Sequence, residues 1–198
     1  FPDSYWGLAT MDPTHYTRTE MENQIREVYA DERFIGMKPY RHYEVEYHHH
    51  SYDPWWEFGN RHALYAGIHR VRQDFKEVES LAARFSNVNW VVYHCGASYG
   101  VADQAIECMR QFPNVFAEIT LTSVPLGIID YLVEHGGSDR ILYGSDLPMR
   151  DPRQQLGWVV FSRLDRASKV RLLRENALRV IAPHLRGADG AVALGAGL

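Results

Sequence analysis

Five residues able to do chemistry stand at or beside the ends of short apolar segments: Lys38, His69, His94, Glu118 and Asp146. Neutral imidazole is the commonest metal ligand, and a carboxylate beside it can complete a divalent-metal site or move a proton. His69 closes LYAGIH and His94 closes WVVYH, so two imidazoles on neighbouring strands can share one ion. Asp146 lies in YGSDLP, where it can ligate that ion and take a proton from bound water. His69, His94 and Asp146 are therefore the candidate metal ligands, and Asp146 and His94 the candidate catalytic pair. Plainer roles compete. A strand-end histidine can hydrogen-bond a loop carbonyl, and an aspartate before a proline can form a turn.

Lys38 ends FIGMK. It can hold a substrate carboxylate, bridge metals if carbamylated, or extend into solvent. Glu118 lies inside VFAEIT. An inward carboxylate is costly unless paired, so it binds a ligand, braces a metal-binding histidine or forms an ion pair. The stretch from Tyr40 to Trp56 mixes Arg41 with Tyr43, Tyr47, Tyr52, Trp55 and Trp56. Aromatics with an arginine suit a planar or carboxylated substrate, and they equally suit a subunit contact. Arg70 and Arg72 are further anion-binding candidates. The substrate-binding set is thus Lys38, Arg41, Trp55, Arg70 and Glu118. His48, His49 and His50 resemble a metal cluster, but adjacent residues do not share a direction on a regular element, so at most one reaches the site. Trp90 and Tyr143 read as barrel filling.

The elements that must position these groups recur regularly. Strand-like segments begin near Tyr5, Phe34, Leu64, Trp90, Val115 and Ile141. Helical periodicity fills the gaps at Arg18–Asp31, Pro54–His62, Phe75–Phe85, Val101–Phe112 and Pro125–His135, and continues at Gln154–Leu164 and Ser168–Ile181. Alternating strands and helices predict a parallel sheet, whose strand ends share one face. Apolar, non-alternating strands predict burial on both faces. A (β/α)8 barrel needs about 250 residues, so six units fit a barrel short of two units or an open doubly wound sheet; the converging polar groups favour the barrel. Residues 1–183 read as one α/β barrel domain and 184–198 as a Gly/Ala-rich tail.

A net charge of −4 leaves no basic footprint for nucleic acid or an anionic membrane. No apolar run approaches the roughly 18 residues of a membrane span. Cys95 and Cys108 form neither a metal-ligand spacing nor a disulfide framework, so the expected setting is a reducing, cytoplasmic one. The start at Phe1 suggests that preceding sequence is missing.

GMKPY, LYAGIH, WVVYHCGAS, DRILYGSDLPMRDP and ENALRVI together resemble the second amidohydrolase family, a branch of metal-dependent hydrolases that includes aromatic-acid decarboxylases. The resemblance covers most of residues 1–183. It implies a (β/α)8 barrel with one or two divalent metals, zinc or manganese, at the strand C-termini. It also implies His69 as the fifth-strand ligand, His94 as the sixth-strand histidine and Asp146 as the eighth-strand aspartate. Lys38 falls on the fourth strand and Tyr5–Met11 on the third, so strands 3 to 8 are represented. The His-x-His pair of the family's first strand has no counterpart in this chain. The expected activity is hydrolysis of a C–O or C–N bond, or non-oxidative decarboxylation, of a small carboxylated and possibly aromatic substrate. Two alternatives stand beside it: a non-catalytic truncated barrel that binds a partner, and a metal-free lactonase or esterase. The expected partner is a small molecule, with a second copy of the chain able to cover exposed strand edges.

Overall fold

The computed structural model describes residues 5–40, 45–69, 75–120 and 124–185. Six strands run in one sheet: β1 (Gly7–Ala9), β2 (Phe34–Met37), β3 (Tyr65–Ile68), β4 (Asn89–Val92), β5 (Val115–Glu118) and β6 (Ile141–Leu142). All neighbours are parallel, and their order across the sheet is their order in the sequence. A doubly wound sheet reverses its strand order at a switch point. This one never does, which settles the choice in favour of a barrel wall.

Helices connect and back the strands: α1 (Arg18–Val28), α2 (Asp53–His62), α3 (Lys76–Arg84), α4 (Tyr99–Gln111) and α5 (Ile128–Gly136), then α6 (Pro152–Val160), α7 (Arg166–Val170) and α8 (Asn176–Ile181). Local chemistry sets their ends. Thr17 and Glu20 form a capping box at α1. Ser98 accepts from the Val101 N–H and starts α4 two residues earlier than the apolar stripe suggested. Gly137, at φ +80°, ends α5 as expected for a glycine cap. The helix expected over Ser168–Ile181 is interrupted by a π-turn, Arg171–Glu175, between α7 and α8. There the Leu172 carbonyl accepts from the Tyr143 N–H at 2.9 Å, which ties the chain leaving β6 to the C-terminal helices.

The strands are buried on both faces, as their composition predicted. On the outer face Met37, Ala66, Ile68, Trp90, Val92 and Ala117 pack against the helices. On the inner face Val91, Phe116 and Leu142 pack with Tyr65, Tyr93 and the α8 residues Ala177, Val180 and Ile181. The α8 helix therefore covers part of the inner face. Asn176 anchors it, its Nδ2 donating to the carbonyls of Ser138 (2.7 Å) and Ile141 (2.8 Å). Asn176 is buried, so Asn176→Ala would strand both acceptors. We expect a loss of about 2–4 kcal/mol in urea denaturation; a loss below about 1 kcal/mol would show that the amide is not what holds α8.

Two sequence expectations are corrected here. Trp55 was expected at a substrate pocket, yet it is fully buried on α2 and its indole N–H donates to Tyr29 Oη at 3.0 Å. Tyr52, Trp55 and Trp56 stack with interplanar angles of 7–19°. Large rings gain most from full burial, so the helix turns its tryptophans into the core. Trp90 is likewise not barrel filling. It faces the helices, edge-on to Trp56 at 5.2 Å, because strand alternation places Val91 and Tyr93 on the inner face instead.

Candidate active site

The ends of β2 to β6 bring Lys38, His69, His94, Glu118 and Asp146 around one mouth. His69 follows β3 directly, and His94 lies two residues beyond β4. Their rings meet at 4.8 Å between centroids, at 72°. Strand alternation alone would put His94 on the outer face with Val92. A left-handed backbone at φ +64° re-aims it toward His69. Asp146 takes the same conformation at φ +58°. Only one other described non-glycine residue, Ala63, has a positive φ. Such conformations cost on the order of 1–3 kcal/mol for non-glycine residues and cluster at functional sites.

His94 Nδ1 lies 2.5 Å from the Thr120 carbonyl. A carbonyl only accepts, so Nδ1 carries a proton and Nε2 is the ring nitrogen left to ligate. This is the bracing usual for a metal-ligating histidine. His69 is held through its backbone, whose carbonyl accepts from Tyr47 Oη at 3.3 Å. Asp146 is exposed and loosely paired, with Arg150 Nε at 3.9 Å from Oδ2.

Glu118 ends β5 and is only 5% exposed. Its Oε2 has no hydrogen-bond partner. Burial pushes the carboxyl up to about 7, against the pull of hydrogen bonds from Thr120 and the His94 backbone. Lys38, at the end of β2, donates to the Gly67 carbonyl at 3.3 Å and sits 4.3 Å from the Tyr93 ring centre. Burial lowers its ammonium to about 8, and the charges of Glu118 and Asp146 limit that fall. Burial likewise raises the Tyr65 and Tyr93 phenols above their ordinary range.

A cavity of about 320 Å³ opens between the inner face and α8, within the size range of small-molecule sites. Its wall includes Tyr65, Tyr93, Tyr143, Glu118, Thr120 and Asp146. Tyr143, expected as filling, thus lines the cavity. Arg41, Arg70 and Arg72 lie outside the described residues, and so does the tail from 186 onward. Sequence reasoning missed Tyr65, Tyr93 and Thr120. Parity was the available signal, since Tyr65, Gly67 and His69 alternate onto one face, as do Val91 with Tyr93 and Phe116 with Glu118 with Thr120.

Two imidazoles and a carboxylate suit a zinc- or manganese-class ion. The orphaned Glu118 Oε2 and the braced His94 ring fit a site that receives a charged group. The ligand atoms of His69, His94 and Asp146 do not all approach within 4.8 Å of one another. Among the described residues only Glu46, His48 and Glu77 do so.

The buried carboxyl makes a stability prediction. Glu118 titrates near 4.5 in the unfolded chain and near 7 in the folded one. Between those values the folded state binds more protons, so stability falls as pH rises through the window, by about 3 kcal/mol, and levels off above it. In Glu118→Gln the difference from wild type, followed by urea denaturation at several pH values, should trace that slope. A pH-independent difference would show that Glu118 does not carry a raised pKa.

The comparisons with known proteins agree with this architecture. No curated protein matches the chain in sequence. An uncharacterised TIM-barrel protein from Bordetella bronchiseptica is similar in structure, with a TM-score of 0.78 at 16% identity over 93% of this chain and 69% of that one. So is 5-carboxyvanillate decarboxylase from Sphingomonas paucimobilis (TM-score 0.68, 16% identity, 91% of this chain and 67% of that one). A zinc-bound amidohydrolase from Burkholderia multivorans gives 0.62 at 15% identity, over 80% and 69%. At these identities the likeness establishes the barrel fold. The amidohydrolase family model matches residues 2–182, nearly the whole described sequence, and the chain belongs to that family.

Proposed function

We propose that this chain is a metal-dependent decarboxylase that removes CO2 from a small aromatic carboxylic acid without oxidation. The observation that carries this reading is the tyrosine-lined cavity, which has Glu118 and Asp146 on its wall and Lys38 beside Tyr93. Tyr65, Tyr93 and Tyr143 suit a planar ring. Lys38, cationic at neutral pH, pairs with the substrate carboxylate as the ring enters. When the ring–carboxyl bond breaks, its electron pair stays on the ring carbon and CO2 departs. Asp146, on the open lip, delivers a proton to that carbon, and Glu118, which holds its proton near neutrality, is the reservoir behind it. His69, His94 and Asp146 would hold a divalent ion, whose chemistry is to polarise the carboxylate and a neighbouring oxygen as a Lewis acid. Decarboxylation is also the reaction named for one structural neighbour, the 5-carboxyvanillate decarboxylase from Sphingomonas paucimobilis.

The test is to incubate the manganese- or zinc-loaded protein with hydroxylated benzoates in heavy water. CO2 release with one deuterium at the vacated ring carbon is expected. Lactone or amide hydrolysis with no release of CO2 would overturn decarboxylation in favour of hydrolysis.

A further inference from the structure

We propose a second divalent-cation site, separate from the barrel mouth, formed by Glu46, His48 and Glu77. Ligand atoms of these three side chains lie within 4.8 Å of one another. His48 Nε2 is 3.2 Å from Glu46 Oε2, and its Nδ1 is 3.6 Å from Glu77 Oε1. None of the three belongs to the set at the mouth. One imidazole nitrogen and two carboxylates are donors for zinc, nickel, cobalt or manganese. Ligands around such an ion sit about 2.0–2.2 Å from it, so modest side-chain closure would bring all three onto the ion, with water in the remaining positions.

The arrangement is built, because the residue between two of the ligands is locked into the core. Tyr47 is 1% exposed. Its N–H donates to Glu77 Oε1 and its carbonyl accepts from Trp56 Nε1 at 2.8 Å. Anchoring Tyr47 holds Glu46 and His48 on either side of it, against the first turn of α3, where Glu77 is four-fifths buried at 18% side-chain exposure. The histidine triplet divides accordingly. His49 is occupied in capping the 3-10 turn His50–Tyr52, its Nδ1 accepting from the Ser51 N–H and lying 2.8 Å from Ser51 Oγ. The His50 ring packs edge-on against His49. His48 alone joins the carboxylates.

An ion at this position cross-links the loop after β2 to the start of α3. Tyr47 carries that restraint to the mouth through its hydrogen bond to the His69 carbonyl. The site is a structural clamp on the rim, and it does not depend on the chemistry proposed for the mouth.

The experiment is metal content after equilibrium dialysis against zinc, with thermal unfolding measured with and without zinc, on the full chain. Asp146→Asn should keep the rim zinc. His48→Ala and the shape-preserving His48→Gln should each lose one bound zinc, and with it most of the zinc-dependent rise in Tm. Using both variants, with folding confirmed by circular dichroism, separates ligand loss from misfolding. Unchanged zinc content and an unchanged Tm response in folded His48→Gln would overturn the site. A loss of zinc in Asp146→Asn alone would assign all the binding to the mouth and would equally overturn it.

Discussion

Asp146→Asn should lower turnover by about a thousandfold while leaving the fold in place, within the range that removal of a positioned acid or base produces. Asparagine matches the shape of aspartate but cannot give up or accept the proton at Oδ. It also keeps the backbone. Asp146 sits at φ +58°, and asparagine tolerates that region as well as aspartate does. The one ion pair lost, to Arg150 at 3.9 Å, is exposed and contributes little. Stability should therefore change by less than about 1 kcal/mol, so activity and stability separate. The assay is the rate of CO2 release alongside urea denaturation of the same preparations. A near-normal rate would remove Asp146 from the mechanism.

Gly144→Ala should damage both stability and the site. A methyl group there would lie 2.5 Å from Thr120 Oγ1, 2.7 Å from Glu118 Cδ, and closer still to Glu118 Oε1. Real carbon contacts do not close to such distances. Glu118 has no open space to retreat into except the cavity itself, and β6 is held by the Asn176 and Leu172 bonds. We expect a loss of about 3–5 kcal/mol, at the upper end for point substitutions, with ligand binding lost as Glu118 swings into the cavity. The double variant Gly144→Ala/Glu118→Ala should recover much of the stability, because the tightest of these contacts is with that side chain. No recovery would place the strain at Thr120 or in the backbone instead.

Much of this was legible beforehand. Apolar runs ending at Lys38, His69, Glu118 and near Asp146 marked the strands. Helical stripes marked what connects them, because burial on one side leaves a periodic imprint in the chain. The amidohydrolase resemblance rested on motifs at those same strand ends, and the family model confirms it. Helix ends fall within about four residues of the sequence reading, and the π-turn at Arg171–Glu175 is the feature that reading lacked.

The aromatic stretch was misread for a physical reason. Composition shows that Trp55 and Trp56 will bury area, but not against which surface. Packing chose the core, where they stack on Tyr52 and meet Trp90. The histidine triplet shows the same limit, since three equal letters became one cluster member, one cap and one ring packed against that cap only once Tyr47 was locked in place.

By itself the sequence determined which residues end the strands, that the sheet is parallel, and which chemical groups reach one rim, because periodicity and strand parity are local properties of the chain. The tertiary structure alone decided the strand order, the left-handed turn that brings His94 against His69, the cover that α8 lays over the inner face, and the burial that raises Glu118. Those depend on which distant segments share a dielectric and a volume, and no local pattern carries that information.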